Sequence, residues 1–458
     1  MTSVDFAMIS DAELKSRLQE ELDAFKYEGI QGWDLFLKQQ EIKKWLPKQD
    51  AKQIHWVERL IWKPKGRADF RRLQPELVFV KSSYMIKVKN IWGEETEREV
   101  PSSDPLELHW KILRKLVSTS RDTGGGGMRT LKFLVRDKAS RKYLGVICIS
   151  SDFMDLTGRE KLIGWDKKEF QRPTGKLFGK LNHIAQGQAI MPTQPFGSTY
   201  NGVKLLALLC LSKEVTDKWE EIYGQKLVAV TTTAFWGNAK AFSSYDGLDP
   251  YWCRLDDTSG NTPMKFTDDT YQLMKDWLKE REPEKYFELF KAKKPDGSMK
   301  TRDSKSRSIT TVMQRLGIPT KEQKSNTIRL AYMSLLYKNS AEFLRGEISE
   351  SELEPAFKHT SEELVKFWKF GIRGDTTQKM SKAYKKTLKE NNPWLPTDYT
   401  RNLASSAKAR TDDLVRRAKD QQIPALIPTE GPAVDWYESL AHLTWSEAKE
   451  KFLKQIAR

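Results

Sequence analysis

The spacing of apolar and polar positions predicts a helical beginning for the chain. Ser10 and Glu13 have the capping-box spacing, in which each side chain satisfies a backbone N–H at a helix start. The apolar residues that follow recur on one helical face: Leu14, Leu18, Leu22 and Phe25. The helical pattern continues to about residue 62, and residues 106–117 predict an amphipathic helix. Between them, residues 71–100 leave helix and strand both open.

From residue 128 the pattern becomes that of β-strands. Apolar runs at 131–135 and 143–149 are separated by a polar turn, which predicts a hairpin with at least one buried strand. A short helix is predicted within 150–164. A second helix is predicted from Lys167 toward Ile184.

The most regular pattern lies at residues 188–235. It predicts an apolar strand at 189–191, a turn with Pro and Gly, one helix ending at Gly224, and a second strand at 227–233. The helix is predicted from apolar residues at helical spacing: Val203, Leu205, Leu206, Leu209, Val215, Trp219 and Ile222. We interpret this strand–turn–helix–strand stretch as the structural centre of the fold.

Changes of character along the chain predict three regions. These are a mainly helical N-terminal region (1–125), a central α/β domain (126–266) and a basic helical C-terminal region (267–458). The predicted fold class is mixed α+β or α/β, with a central mixed sheet flanked by helical regions.

Composition narrows the class of protein. The 458 residues carry a net charge of +16, which favours nucleic acid or an acidic membrane surface as a partner. The longest apolar run, 205–211, is far shorter than the ~20 residues of a membrane-spanning helix, and the first residues do not resemble a secretory signal. We therefore expect a cytoplasmic protein without a membrane partner. Three cysteines are expected to be reduced and in the core: Cys148, Cys210 and Cys253. The histidine spacing predicts no metal site, and the sequence identifies no cofactor.

Two segments concentrate the positive charge. Residues 291–307 contain seven Lys or Arg against two Asp, and residues 366–417 contain 13 against five acids. Such side chains release counterions from phosphates, and nearby aromatic rings can stack on unpaired bases, although Trp368 and Phe370 are expected in the core. The residues predicted to contact nucleic acid, with DNA favoured over RNA, are Lys300, Arg302, Lys305, Arg307, Lys369, Arg373, Lys379, Lys382, Lys385 and Lys386.

The turn before the central helix is a weaker candidate site. Residues 197–204 read G-x-x-x-x-G-x-K, whereas a Walker A loop has Lys directly after the second Gly and then Ser or Thr, so an NTPase is disfavoured. Amides at a helix start can still hold an anion, and the hydroxyls ending the next strand can lie nearby. The alternative is a plain sharp turn and an ordinary β-strand. The candidate residues are Gly197, Tyr200, Asn201, Gly202, Lys204, Thr231, Thr232 and Thr233.

Acidic residues form two groups along the chain. They are Asp152, Asp155, Glu160 and Asp166, and then Asp246, Asp249, Asp256 and Asp257. Carboxylates can hold magnesium for phosphodiester cleavage, but solvated loops carry such residues as well. No catalytic residue is assigned.

Several short segments match one known family. They are Leu134-Val135-Arg136-Asp137, Tyr143-Leu144-Gly145, Ile163-Gly164-Trp165, Thr199 to Leu205, Thr231-Thr232-Thr233-Ala234, and Asn339 to Glu347. Through them the chain resembles the DruA-like proteins, known from Druantia anti-phage defence systems and mobile elements. The chain departs from the family at Glu160, where an aspartate is expected, and at Trp236-Gly237-Asn238.

The resemblance implies a cytoplasmic protein that acts on or around DNA in conflict between phage and host, with protein partners from a defence or phage complex. It implies no known reaction. The central unit is also similar to the GNAT acyltransferase fold, where the turn before the helix holds the pyrophosphate of coenzyme A. We therefore keep two alternatives to simple DNA binding. One is a nucleic-acid-modifying enzyme, by acyl transfer or metal-dependent strand cleavage, and the other is a protein whose basic surface meets an acidic partner.

Overall fold

The protein forms two compact units in a computed structural model. The helical unit comprises Met1–Leu37 and Ser259–Thr327, and the sheet unit comprises Lys38–Thr258 and Ile328–Arg458. The structure describes residues 9–45, 48, 50–62, 72–81, 83–89, 95–101, 104–116, 129–193, 196–199, 202–234, 243, 245–255, 262–290, 304–325 and 329–371. The boundaries of the three predicted regions stay a prediction.

Helices and strands alternate along the chain, as the predicted mixed class requires. The helices are α1 (Asp11–Trp45), α2 (Ala51–Arg59), α3 (Pro105–Leu116), α4 (Thr157–Ile163), α5 (Lys167–Gln171), α6 (Phe196–Thr199), α7 (Gly202–Leu209), α8 (Lys213–Tyr223), α9 (Asp268–Arg281), α10 (Pro283–Phe290), α11 (Ser304–Arg315), α12 (Ser340–Leu344) and α13 (Ser361–Lys366). The strands are β1 (Pro75–Val80), β2 (Ser83–Lys89), β3 (Glu95–Pro101), β4 (Thr130–Asp137), β5 (Tyr143–Ser151), β6 (Ile184–Pro192), β7 (Ala229–Thr233), β8 (Cys253–Arg254), β9 (Thr262–Pro263), β10 (Lys324–Ser325) and β11 (Ala331–Leu335).

Helix α1 begins at the predicted capping box. The amide and hydroxyl of Ser10 donate to Glu13 Oε2 at 2.8 and 2.7 Å, and the Glu13 amide donates to Ser10 Oγ at 3.2 Å. The predicted apolar face is buried: Leu14, Leu18, Leu22 and Phe25. It packs with apolar residues of α9 and α11, while β9 and β10 pair antiparallel. Both predictions for the start of α1 are confirmed.

The sheet unit contains a seven-stranded sheet in the order β1-β4-β5-β6-β7-β11-β8. Its strands pair antiparallel except β6 and β7, which pair parallel. The predicted hairpin is confirmed as β4–β5. The segment whose pattern left helix and strand open forms β1 and the separate β2–β3 hairpin. The prediction of a helical region over 267–458 was wrong at β11, which lies within it and is an inner strand of the sheet, because its pairing with β7 and β8 joins segments far apart in sequence.

Helices cover both faces of this sheet. Alternate residues of β11 show the arrangement, because Tyr332 packs in the core with α7 and α8 whereas Met333 packs in the core with α4 and α12. Trp368 is fully buried in the first core, as predicted. Phe370 was predicted there too, but it is 59% exposed. The prediction was wrong because both residues lie in a π-helical turn, Phe367–Gly371, which buries one side only.

Two predicted helices are shorter than expected. The helix predicted over 203–222 is broken into α7 and α8, with Ser212 in an extended conformation before the second. Gly224 ends α8 as predicted, at φ 64°. The helix predicted toward Ile184 ends at Gln171, because the residue before Pro173 is pushed out of helical geometry.

The cysteines divide by position. Cys148 and Cys210 are free and buried as predicted, whereas Cys253 is free and exposed. The core prediction for Cys253 was wrong because β8 is the last strand of the sheet. Among the described residues, no helix is both long and apolar enough to cross a membrane.

Candidate functional site

The two parallel strands at the centre of the sheet separate near their ends. β6 and β7 pair from Ile184 with Ala229 to Gln186 with Thr231, and then diverge while β6 continues. Beyond the last pair, the hydroxyl of Thr232 donates to the carbonyl of Gly187 at 3.0 Å. Where the strands split, a hydrogen bond from the Thr232 side chain therefore takes the place of backbone hydrogen bonds between β6 and β7.

A tyrosine cluster lies over this split. The buried Tyr245 lies beside Thr232, and its ring centroid lies 5.1 Å from that of Tyr332, the β11 residue paired with Thr232. The Tyr332 hydroxyl donates to Asp246 Oδ1 at 2.7 Å. Burial raises the pKa of both phenols, that of Tyr332 to about 12 with help from Asp246. Both therefore remain neutral hydrogen-bond donors at pH 7.

Two residues of the predicted anion site, Lys204 and Thr232, contact the same short segment, which contains Tyr245 and Asp246. The ammonium of Lys204 donates to the carbonyl of Asp246, while Thr232 lies beside Tyr245. The segment is itself fixed, since the amide of Ser243 donates to Asp246 Oδ2 at 2.8 Å. The structure thus brings the start of α7 and the end of β7 together through Tyr245 and Asp246.

Two other polar groups of the predicted anion site bond within the protein. The Gly197 amide donates to Thr193 at 2.8 Å, and the Thr231 hydroxyl donates to Asp152 at 2.5 Å on the opposite face of the sheet. A Cβ at Gly202 would lie 2.6 Å from the Phe196 ring, so glycine permits close packing there. Thr233 is half-buried, and Tyr200 and Asn201 lie outside the described residues. Anion binding at this turn stays a prediction.

A buried ion network lies beneath the split, on the face of α4. The guanidinium of Arg159 is fully buried and donates to Asp152 Oδ2 at 2.6 Å and Glu160 Oε1 at 2.5 Å. It also lies 5.6 Å from the centroid of the Trp165 ring. Asp152 Oδ1 accepts from Thr231. Two carboxylates considered above as magnesium ligands therefore bind an arginine.

Two more acids of these groups, Asp155 and Asp166, are engaged as well. Asp155 accepts from Lys167 at 2.6 Å and from Gln171 at 3.0 Å, and these bonds lower its pKa. Asp166 caps α5 by accepting from the Lys168 amide. No group of three or more His, Cys, Asp or Glu in the described part of the chain has the geometry to hold a metal ion. Asp249 is exposed, and Asp256 and Asp257 lie outside the described residues.

The segments that resemble the family converge in space. The indole of Trp165 donates to the carbonyl of Leu344 at 2.9 Å, and Arg345 Nη1 donates to the carbonyl of Ile163 at 3.0 Å. Thr231 of β7 joins the same network through Asp152. Three segments far apart in sequence therefore form one buried junction. Sequence reasoning identified the segments but not their contacts.

Predicted phosphate-binding residues occupy different settings. Lys305 Nζ lies 3.8 Å from Asp268 Oδ1 and 4.4 Å from the Tyr271 ring centroid, whereas Arg307 is exposed on α11. Lys369 donates to the carbonyl of Leu73 at 2.7 Å, and burial lowers its pKa. The others lie outside the described residues: Lys300, Arg302, Arg373, Lys379, Lys382, Lys385 and Lys386. Their phosphate contacts stay predictions.

Comparison with known proteins gives one family. The family described as Druantia protein DruA matches residues 70–346. Druantia protein DruA of Escherichia coli (strain UMEA 4076-1) is 25% identical over 166 residues, which cover 33% of this chain and 39% of that relative. The chain thus spans about two fifths of the length of the relative it matches. No solved structure matches the chain.

Proposed function

The chain belongs to the DruA family, and we propose that it acts in anti-phage defence as a DNA-binding protein whose basic helices contact phosphates. The observation that carries the DNA-binding part is the outer face of α11. Family membership supports the defence role, and the net charge of +16 supports a polyanionic partner.

Helix α11 has one buried side and one exposed side. Ile309, Val312 and Met313 are buried in the core of the helical unit and hold the helix in position. Ser306, Arg307 and Gln314 are exposed. A helix fits the major groove of DNA, and Arg, Gln and Ser are side chains that hydrogen-bond phosphates and base edges.

One cation of α11, Arg307, differs from its charged neighbours in having no acid beside it among the described residues. Arg315 pairs with Glu282, and Lys305 lies near Asp268. Arg307 forms no ion pair with any acid in the described part of the chain. The sequence leading into the helix adds further positive charge, since residues 291–307 hold seven Lys or Arg against two Asp. We therefore propose Arg307 as a phosphate contact.

The test is binding of the full chain to a fluorescent duplex of ~20 base pairs, followed by anisotropy. Neutralising six to ten phosphates predicts a loss of about 10³ to 10⁵ in affinity between ~50 and ~200 mM salt. Arg307→Ala should lower the salt slope by about one, because one phosphate contact is lost. The control is Lys279→Ala, which removes an exposed lysine of α9 and should leave the slope unchanged.

A second variant tests the C-terminal basic segment. Charge reversal at Lys382, Lys385 and Lys386 should weaken binding to unrelated DNA sequences alike, because phosphate contacts carry no sequence information. Wild-type binding that does not change with salt would refute the proposal, as would an absence of binding at ~50 mM salt.

A second candidate function is acyl transfer to a nucleic acid. The observation that favours it is the split between β6 and β7. The GNAT unit, which the sequence pattern resembles, holds coenzyme A at the turn before its central helix. A ligand that binds only the native state raises the melting temperature. Saturating coenzyme A should therefore raise the melting temperature of this chain, and an unchanged value removes the candidate.

A further inference from the structure

Exposed apolar side chains concentrate in one short part of the sheet unit. Phe153, Met154, Leu162 and Phe178 are 40, 56, 45 and 57% exposed. They are half of the large apolar side chains that are exposed among the described residues, yet they all lie within residues 153–178. Single exposed apolar residues are ordinary, whereas a group of them marks an interaction surface. We call this group and its polar neighbours the α4–α5 surface.

Hydrogen bonds join the parts of the α4–α5 surface. Gln171 Nε2 donates to the Met154 carbonyl and to Asp155 Oδ1, both at 3.0 Å. The amide of Leu177 donates to the Glu169 carbonyl at 3.0 Å. The loop that precedes α4 and the turn that precedes Phe178 are therefore both fixed to α5.

The base of the surface is closely packed. The rings of Trp165 and Phe170 stack with centroids 4.6 Å apart, and Phe170 is buried. A Cβ at Gly175 would lie 2.1 Å from the Glu169 carbonyl oxygen, so only glycine allows the turn to approach α5 this closely. The exposed side chains thus stand on a preorganised base, which reduces the entropy lost on binding.

The charge on the α4–α5 surface is positive. Each acid in the segment already accepts from a protein group: Asp155 from Lys167, Glu160 from Arg159, Asp166 from the Lys168 amide, and Glu169 from the Lys176 amide. Lys168, Arg172 and Lys176 are exposed and form no ion pair within the described residues. Asp166 and Glu169 keep their charge, because a backbone amide donor is neutral, so residues 153–178 hold six Lys or Arg against four acids, a net charge of +2.

We propose that the α4–α5 surface binds single-stranded nucleic acid. Phe153 and Phe178 stack on bases, while Lys168, Arg172 and Lys176 contact phosphates. Unpaired bases offer a free face to an aromatic ring, whereas a duplex keeps its bases stacked inside. The positive charge favours a polyanion over an apolar protein segment. The proposal rests on the proposed function in taking nucleic acid as the ligand, but it uses different residues from α11.

The test compares the full chain and its variants in binding fluorescent oligo(dT) of ~20 nucleotides and a duplex of the same length. Phe178→Ala should weaken oligo(dT) binding about 5- to 150-fold, the range for loss of one base–aromatic stack. Its matched control is Ile222→Ala, because Ile222 is also a large exposed apolar residue of the sheet unit, at 44%. Unchanged melting temperatures exclude unfolding as the cause.

A second variant tests the cations. The triple substitution Lys168→Ala, Arg172→Ala and Lys176→Ala should lower the salt slope for oligo(dT) by about two, since single strands lose ~0.7 per phosphate contact. The matched control replaces three other exposed lysines of the sheet unit by alanine: Lys52, Lys138 and Lys358. This control should retain the wild-type slope.

The pattern of results separates this proposal from the proposed function. Loss of oligo(dT) binding in the α4–α5 variants, with duplex binding kept, supports the proposal. Duplex binding that depends on Arg307, together with oligo(dT) binding that the α4–α5 variants do not change, overturns it and leaves the proposed function intact. A wild-type chain that binds duplex but not oligo(dT) also overturns it and assigns the surface to a protein partner. Binding of neither probe refutes both.

Discussion

Removal of the buried cation at Arg159 should strongly destabilise the sheet unit. Arg159→Met keeps an unbranched side chain but removes the ion pairs to Asp152 and Glu160. The exposed fractions of those two carboxylate side chains are 0 and 6%, so water cannot solvate the charges left behind. The variant therefore places two negative charges in the interior without a cation.

The expected cost is about 4 kcal/mol. Breaking a buried ion pair by removing one partner costs ~3–5 kcal/mol, because the remaining charge is uncompensated. Arg159 also donates to the carbonyls of Phe153 and Met154, but these sites are only partly buried, and we add nothing for them. Since domains are stable by only ~5–15 kcal/mol, Arg159→Met should lie close to the limit of folding.

The matched control is Arg129→Met. Arg129 is half-buried, donates to the Asn182 carbonyl at 2.8 Å and to Gln225 at 2.6 Å, and lies over the Trp219 ring, but it has no acid partner among the described residues. Its replacement leaves no uncompensated charge, so the cost should be ~1–2 kcal/mol.

Urea titration should measure both variants, with hydrogen exchange in peptides of α4 and β7 to isolate the sheet unit. Adding Asp152→Asn and Glu160→Gln to Arg159→Met removes both orphaned charges and should recover at least half of the lost stability. A cost for Arg159→Met no larger than that for Arg129→Met would refute this account of the network.

Two further predictions concern packing and pH. Gly145→Ala should lower the free energy of unfolding by ~3 kcal/mol or more, because its Cβ would lie 2.5 Å from Leu206 Cδ2 and 2.6 Å from the Met191 carbonyl oxygen. Gly224→Asn should cost less than ~1 kcal/mol, because Gly224 has φ 64° and open space around it. Urea midpoints in the opposite order would contradict this prediction. Burial lowers the pKa of His183 below its unfolded value of 6.5, so the unfolded chain takes up the proton first and stability falls as pH decreases through that value. In urea titrations between pH ~5 and ~7, His183→Gln should make the free energy of unfolding depend less on pH. Part of the dependence should remain, because burial also lowers the pKa of His109. A pH dependence equal to that of the wild type would contradict the assignment to His183.

The sequence predicted those elements whose signals are local. The cap and apolar face of α1 depend on residues within a few turns of one another, and both are confirmed. The break between α7 and α8 was not predicted, because buried apolar residues at helical spacing, such as Leu209 and Val215, continue the periodicity across it. The position of β11 depends on pairs such as Ala331 with Thr233, which no local pattern specifies.

The chemistry of the central junction could not be predicted for a related reason. Carboxylates near one another in sequence were equally compatible with a metal and with a salt-bridge network. Arg159, which neighbours Glu160 in the sequence, was the available signal for a salt-bridge network. Only its burial in the structure shows that its charge must be paired with carboxylates. Lys369 illustrates the same limit, since its contact with Leu73 joins segments far apart in the chain.

The family segments account for the fold more directly than for a reaction. Thr231 joins the buried network of Arg159 and Asp152, Trp165 donates to the Leu344 carbonyl in the interior, and Gly145 allows α7 to approach the sheet. Groups that are buried and hydrogen-bonded to the protein stabilise it and are not presented to a ligand. Binding should therefore reside in exposed residues around this core, and the variants divide accordingly. Arg159→Met should lower stability, whereas Arg307→Ala and Phe178→Ala should lower affinity at unchanged stability.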